Sequence, residues 1–360
     1  FPPTKNLLFY KPVNIKQEVI TGENLPAHFS TLSIKKYKIL ENLDIPQLNK
    51  INIFAGINNS GKSSLLEAIY LLTNLNNIYA FFESLKIRGK FDAGMEANWV
   101  DEQAKETIEI RGIFANREAA VNISRQVEAL ESLDKSKYLG TIAIDAGYEK
   151  EQIKSKTRLF RDTAPQTFTG NFKILCNNVL SNPYAIQDRR EQADFYKKSV
   201  ESKTIDGITK FLKEHVDDGI EWVRNPGGGF KVSHKGFPTA KDLALFGEGM
   251  QRIFHIALRF AAARDGVLLI DEMENAVHFQ LLADFARLIR ELAREFNTQV
   301  FITSHSKECI DAFFKDKTES KDLTVYRLSR EDRKIQCKFI GGERFAGLID
   351  FMDIDVRGDI

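Results

Sequence analysis

Between residues 51 and 72 the apolar positions change period. Ile51, Ile53, Phe54 and Ala55 form a short, nearly unbroken run, and after a glycine-containing break Leu65, Leu66, Ile69 and Leu72 return at helical spacing. The first pattern predicts a buried strand, the second a helix. Two further short runs, Val267 to Ile270 and Val300 to Ile302, predict buried strands, one ending in Asp271 and Glu272, the other in Thr303, Ser304, His305 and Ser306. Just upstream, a largely apolar stretch from Met250 to Arg264 predicts a buried helix, opened by Gly247, Glu248 and Gly249 and stopped by Gly266. Leu281, Leu282, Phe285, Leu288, Ile289 and Leu292 give an amphipathic helix whose start His278 would cover.

The remaining segments alternate more. "LSIKKYKILENLDI" (32 to 45) reads as a leading strand, "ETIEIRGIF" and "AVNISRQV" as strands, and "TIDGITKFLKEHVDD" as a helix. A hairpin follows, turning at Pro226 to Gly229. A helix near 307 to 314, the strands "DLTVYRLSR" and "KIQCKFI", and the tail "GLIDFMDIDVRGDI" come last. The predicted fold is α/β, a mixed sheet with flanking helices plus a helical and β insertion lobe. Expected divisions are an N-terminal extension (1 to 30), a core in two parts (31 to 80 and 241 to 315), the lobe (81 to 240), and C-terminal strands with a tail (316 to 360). No heptad repeat persists over three cycles, which excludes a long coiled-coil arm.

Composition narrows the setting. With 51 Lys plus Arg against 50 Asp plus Glu in 360 residues, nothing global favours nucleic acid or an anionic membrane as partner. Three scattered cysteines give neither a disulfide framework nor a zinc site, and no apolar run reaches the length of a membrane span. The first residues lack a signal-peptide layout, and a cytoplasmic, reducing setting is expected. Basic clusters at 154 to 161 and at Arg189 and Arg190 could meet nucleic-acid phosphates, with Phe160 stacking on a base. Asp162, Asp188 and Glu191 nearby make a solvated mixed surface the expected reading.

The break at 56 to 63 carries chemistry. Gly56, Ile57, Asn58, Asn59, Ser60, Gly61, Lys62 and Ser63 spell G-x-x-x-x-G-K-[ST] between a strand and a helix. Glycines let successive backbone N–H groups turn inward around a polyphosphate, and the helix N-terminus adds its dipole at the same point. Lys62 is placed to reach the outer phosphates of ATP and the Ser63 hydroxyl to ligate Mg²⁺, with Ser64 next in the helix. Asp271 fits a second Mg²⁺ contact, Glu272 the orienting or deprotonation of an attacking water, and His305 a donor to the terminal phosphate.

Gly247, Glu248 and Gly249 form a second anion-facing helix start. Because the first loop already has Lys62 and Ser63, this turn is expected to meet the phosphates of another copy, giving head-to-tail composite sites in a homodimer or a higher even-numbered oligomer. Arg252, His255 and Arg259 share one stripe of that helix and read as a solvated or salt-bridged face.

The order of these blocks, "FAGINNSGKSSLLEAI", "FGEGMQR", "LLIDEMENAVH" and "ITSHS", resembles the ABC-type ATPase family and, within it, the RecF/SMC/OLD branch. With the leading strand they cover about a third of the chain. The resemblance implies a P-loop NTPase fold, Asp271 on the Walker B strand, Glu272 as catalytic glutamate, His305 as switch histidine, and the 247 to 249 turn as the signature that contacts ATP across a dimer. The chain departs from the pattern where a serine usually stands, at Phe246 and Gly247, and where a proline usually follows His278, at Phe279. Gln103 and Gln187 are the candidates for a Mg²⁺-sensing glutamine. Such chains resemble ATPase subunits of PARIS-type or Septu-type anti-phage systems, which implies a separately encoded effector nuclease. The competing expectations are a RecF-like ATPase that binds DNA directly and a non-hydrolysing nucleotide-gated module. Asp353 and Asp355 resemble a nuclease metal motif but read as a tail cluster, since too few residues surround them to form a domain.

Overall fold

The computed structural model of the chain describes residues 17–20, 28–89, 95–130, 136–169, 171–183, 189–227, 229–315, 317–332 and 334–352. Its contacts gather into two compact units, one of residues 1–48, 63–176 and 330–337, the other of 49–62, 177–329 and 338–360. Asp353, Asp355 and Gln187 lie outside the described residues.

In the first unit, β1 (Gln17–Val19) pairs in parallel with β10 (Phe172–Ile174). β2 (Phe29–Tyr37) and β3 (Leu40–Ile45) form a hairpin where the pattern suggested one strand over 32 to 45. The turn at Lys38, with φ of 51°, contains neither Gly nor Pro, so nothing in the letters marks it. β5 (Ile108–Phe114), β6 (Arg117–Gln126), β7 (Tyr138–Tyr148), β8 (Glu151–Phe160) and β9 (Gln166–Phe168) extend this into a seven-stranded antiparallel sheet in the order β3-β2-β5-β6-β7-β8-β9. Ile108, Ile110, Val121 and Ile123 are buried while Arg111 and Asn122 face outward, the alternation a half-buried sheet requires.

Three helices join it: α1 (Lys62–Thr73), α2 (Ile78–Gly89) and α3 (Ala97–Gln103). On α1, the Glu67 carboxylate accepts from Tyr37 at 3.0 Å and from Lys38 at 2.7 Å. Arg125 on β6 donates to Asp101 on α3 at 2.7 Å. The basic segment of β8 is neutralised locally, Lys154 by Asp145 and Lys156 and Arg158 by Glu128, as a mixed surface should be. Phe160 is not available to stack on a base, because it is buried against the Tyr138 ring.

A six-stranded sheet, all of the second unit apart from residues 330–337, is made of β4 (Ile51–Ala55), β11 (Asn178–Ser181), β15 (Val267–Ile270), β16 (Gln299–Ser304), β17 (Leu323–Glu331) and β18 (Lys334–Gly341). Their order is β11-β15-β16-β4-β17-β18, and the neighbours from β11 to β17 are parallel. β4 and β15 are buried at every position, the mark of a strand covered on both faces. Phe54 lies between the rings of Phe301 and Tyr326, with centroids 6.3 and 5.5 Å away.

The opposite face carries the main core. It gathers α6 (Glu248–Ala262) and α7 (Leu282–Glu295) with residues from α4 (Arg189–Glu201), α5 (Thr204–His215) and the small sheet of β12 (Ile220–Arg224), β13 (Lys231–His234) and β14 (Lys241–Asp242). α8 (Lys307–Ala312) and α9 (Gly342–Met352) complete it. The boundary between the two units falls near Cys176, where β11 hydrogen-bonds beside β15 and carries the following helices into the second unit. α6 starts at Glu248, two residues earlier than predicted, with Gly247 as its cap.

The stripe of Arg252, His255 and Arg259 is not a solvated face. His255 and Arg259 are buried, Arg259 packs over the Phe195 ring, and Arg252 is mostly buried. α4 and α5 lie over the side of α6 that the pattern left to water. No helix among the described residues is long and apolar enough to cross a membrane.

Candidate active site

Register builds the site. Ile270 pairs with Ile302, Ser304 with Ala55 and Ser181 with Ile270, so the strands β11, β15, β16 and β4 release their chains at one edge. In parallel sheets that carboxyl edge is where ligands bind. The residues just past it are Asn182, Asp271, His305 and Gly56.

The loop from Gly56 to Lys62 is shaped by a close approach. A Cβ on Gly56 would stand 2.4 Å from the Leu328 carbonyl oxygen and 2.7 Å from Ser60 Oγ, so only glycine fits. Asn58 and Asn59 are exposed, Asn59 in a left-handed conformation with φ of 63°, while Ser60 and Gly61 turn back inward and are buried. Lys62 is buried under the loop, its Nζ donating to the Gly56 and Ile57 carbonyls at 2.7 and 2.8 Å. Burial pushes its pKa down, and the carboxylates of Glu274, Asp271 and Glu272 oppose that shift. Ser63 and Ser64 follow in the first turn of α1.

Asp271 is buried and fully engaged. It accepts from Thr303 Oγ1 at 2.6 Å and from Asn182 Nδ2 at 3.2 Å, and its amide donates to the Ser181 carbonyl at 2.8 Å. Glu272 has φ of 47°, an uncommon conformation for a side chain of its size, and its hydrogen bonds hold it there. Its amide donates to Thr303 Oγ1 at 2.9 Å, and Arg252 Nη2 donates to the carbonyls of Asp271 and Glu272 at 2.8 and 3.3 Å. Burial lowers the Arg252 pKa to about 10, so the guanidinium keeps its charge at neutral pH.

His305 meets Glu274. The Glu274 Oε1 lies 2.8 Å from His305 Nδ1 and accepts from the His305 amide at 2.6 Å. His278 caps a short 3-10 turn, its Nδ1 accepting from the Gln280 amide at 3.4 Å, which is the covering role its position suggested. Gly247 and Glu248 are exposed at the start of α6. Gly249 lies against the loop after β15, where a Cβ would come within 2.8 Å of the Ala276 carbonyl.

Several partners were not singled out from the sequence. Asn182 occupies the strand-end position beside Asp271. Gln103, a candidate for a metal-sensing side chain, ends α3. The signal for Asn182 was the short run "NNVLSN", too brief to be separated from loop before its pairing with β15 was known. In the sequence Thr303 figures only as a strand-end residue, and Arg252 reads as part of a solvated or salt-bridged face.

The arrangement fits a nucleotide polyphosphate with its metal. Among the described residues, five buried polar atoms on the loop, at or just past the strand ends and on α6 have no partner: Ser60 Oγ, Ser181 Oγ, Glu274 Oε2, Arg252 Nε and Arg259 Nε. Among the described residues no group of three or more His, Cys, Asp or Glu could hold an ion alone. Mg²⁺ needs no such group, since it takes one or two protein ligands and completes its shell with phosphate and water.

Strand order, loop and acidic strand end together define a P-loop ATPase of the kind in which one strand separates the loop strand from the acidic strand. The chain belongs to the family described as "AAA domain, putative AbiEii toxin, Type IV TA system", whose profile matches residues 51–311. It is 23% identical over 361 residues to an "ATP/GTP phosphatase" of Helicobacter pylori, covering 87% of this chain and 95% of that protein. A 70-residue stretch is 34% identical to the DNA replication and repair protein RecF of Nitrosococcus oceani, covering 19% of this chain and 18% of that one. Among solved structures, an SMC head bound to the C-winged helix domain of ScpA superposes with a TM-score of 0.46 at 15% identity. It covers 91% of this chain and 100% of that one.

Proposed function

We propose that the protein binds ATP with Mg²⁺ at the loop of Gly56, Asn58, Asn59, Ser60, Gly61, Lys62, Ser63 and Ser64 and hydrolyses it. The observation that carries this reading is the convergence of Lys62, Asp271, Glu272 and the Glu274–His305 pair at one edge of a parallel sheet. Bound Mg²⁺ would neutralise the phosphates, with Ser63 and Asp271 as its protein contacts. Lys62 exchanges the carbonyls of Gly56 and Ile57 for phosphate oxygens. Glu272, held at a fixed backbone angle by Thr303 and Arg252, orients and deprotonates a water, and His305 donates to the terminal phosphate.

The exposed turn of Gly247, Glu248 and Gly249 serves a second copy. Its support is an uncovered helix start, where backbone N–H groups stand in for the usual serine hydroxyl. Assembly through these turns would make the protein an ATP-dependent sensor or scaffold for a separately encoded effector nuclease in anti-phage defence. The family description, which names a toxin and a type IV TA system, supports a two-component setting. The RecF stretch supports the second reading, direct binding to DNA.

The test of ATP binding is Lys62→Ala. The variant is expected to lose binding of a fluorescent ATP analogue while keeping its unfolding midpoint, and binding at wild-type affinity would refute the assignment of the loop.

A further inference from the structure

We infer that Glu274 is a positioning residue for catalysis, the group that sets the tautomer and ring plane of His305. The inference rests on the ATPase reading above, in which His305 meets the terminal phosphate. Neither the motif pattern nor the proposed role of Glu272 requires it.

One carboxylate oxygen does two jobs. Glu274 Oε1 accepts from the backbone N–H of His305 at 2.6 Å and lies 2.8 Å from ring Nδ1 of the same residue. An ionised carboxylate only accepts, so the proton on this contact belongs to Nδ1. That leaves Nε2 as the nitrogen presented away from Glu274, and the ring plane is fixed by a bond at each end of the residue. A free imidazole prefers the other tautomer and turns about its side-chain bonds; a carboxylate partner on one nitrogen removes both freedoms.

Burial makes the contact count. The Glu274 side chain is 10% exposed, whereas that of His305 is 47% exposed. The carboxylate is therefore built into the protein while the ring remains reachable by a ligand. The second oxygen, Oε2, is buried and has no partner. Glu274 also heads the carboxylates that oppose the lowering of the Lys62 pKa, ahead of Asp271 and Glu272, so it is electrically part of the loop's floor. A residue serving only to tie down the 271 to 277 loop would need neither the ring contact nor this proximity. Asn275 and Val277 close that loop through their own backbone bonds to Glu272 and Glu274.

When ATP is bound, a phosphate oxygen can only accept, so Nε2 must then carry a proton as well. That second proton is taken up from solvent as ATP binds, and the Glu274 carboxylate faces the ring from the far side. Glu274 acts through His305 and does not itself touch the phosphate.

The test combines a spectroscopic and a kinetic readout on the full chain. With ¹⁵N-labelled histidine, the imidazole signals of His305, assigned by their loss in His305→Asn, should show a protonated Nδ1 in the nucleotide-free protein at pH 8. Glu274→Ala should shift them to the Nε2-protonated pattern. In ATP turnover, Glu274→Ala should lower kcat about tenfold to a hundredfold with KM within about threefold. Glu274→Gln, whose amide oxygen still accepts both bonds, should recover most of that loss. Unchanged imidazole signals in Glu274→Ala, or unchanged kcat, would overturn the inference. Wild-type turnover that is absent, or indifferent to His305→Asn, would instead sink the ATPase reading, and the tautomer result would stand by itself.

Discussion

Thr303 Oγ1 donates to Asp271 Oδ1 across 2.6 Å and accepts from the Glu272 amide across 2.9 Å. One hydroxyl on the middle strand thus holds both acidic residues of the neighbouring strand end. Thr303→Val keeps the shape and removes the hydroxyl, leaving a buried carboxylate oxygen and an amide short of a partner. We expect a loss of about 1 to 3 kcal/mol in urea unfolding and a fall in kcat for ATP of about tenfold. A variant with wild-type kcat would show that Glu272 holds its backbone angle without Thr303.

His255 supplies a pH dependence with a definite sign. It is buried against Phe230 and Phe254, and burial first, then the charges of Arg259 and Arg252, lower its pKa from 6.5 to about 3. The unfolded chain therefore binds a proton below pH 6.5 that the folded chain refuses. The stability associated with the neutral ring is complete above pH 6.5 and is lost as pH falls toward 3, at up to about 1.4 kcal/mol per unit. Unfolding midpoints measured between about pH 7 and 5 should fall for the wild type and fall less steeply for His255→Leu. Equal slopes would place the titration elsewhere.

Those two cases mark what the letters could and could not convey. The loop at 56 to 63, the acidic strand end and His305 were legible because local chemistry demands them in sequence: glycines where backbone must approach closely, apolar runs where strands are buried on both faces. Asn182, Thr303 and the Glu274–His305 bond were not, because each depends on register between strands separated by up to 89 positions. The Arg252, His255 and Arg259 stripe was misread for a related reason. Helical periodicity says which residues share a face, and only the packing of α4 and α5 says that this face is covered.

Gly247 offers a test of the shared-site proposal. It caps α6 with an ordinary φ of −55°, and a Cβ there would meet nothing within 4 Å. Gly247→Ser should therefore fold normally, with stability changed by no more than about a few tenths of a kcal/mol. It should also restore the hydroxyl that the turn lacks and tighten self-association. The check is mass in solution with and without Mg-ATP in a Glu272→Gln background. A doubled mass with ATP, appearing at lower protein concentration when Gly247→Ser is added, is expected; a monomer under all conditions would make the turn an internal packing feature.

The central claim is that ATP sits on the Gly56 to Ser63 loop and is consumed with Glu272 as the base, and its most direct measurement is phosphate release from radiolabelled ATP alongside the nucleotide retained by the protein. Wild type should turn over. Glu272→Gln should retain uncleaved ATP at similar affinity while releasing phosphate about a hundredfold or more slowly. Turnover in Glu272→Gln equal to the wild type would contradict the account, because the water would then be activated by another group.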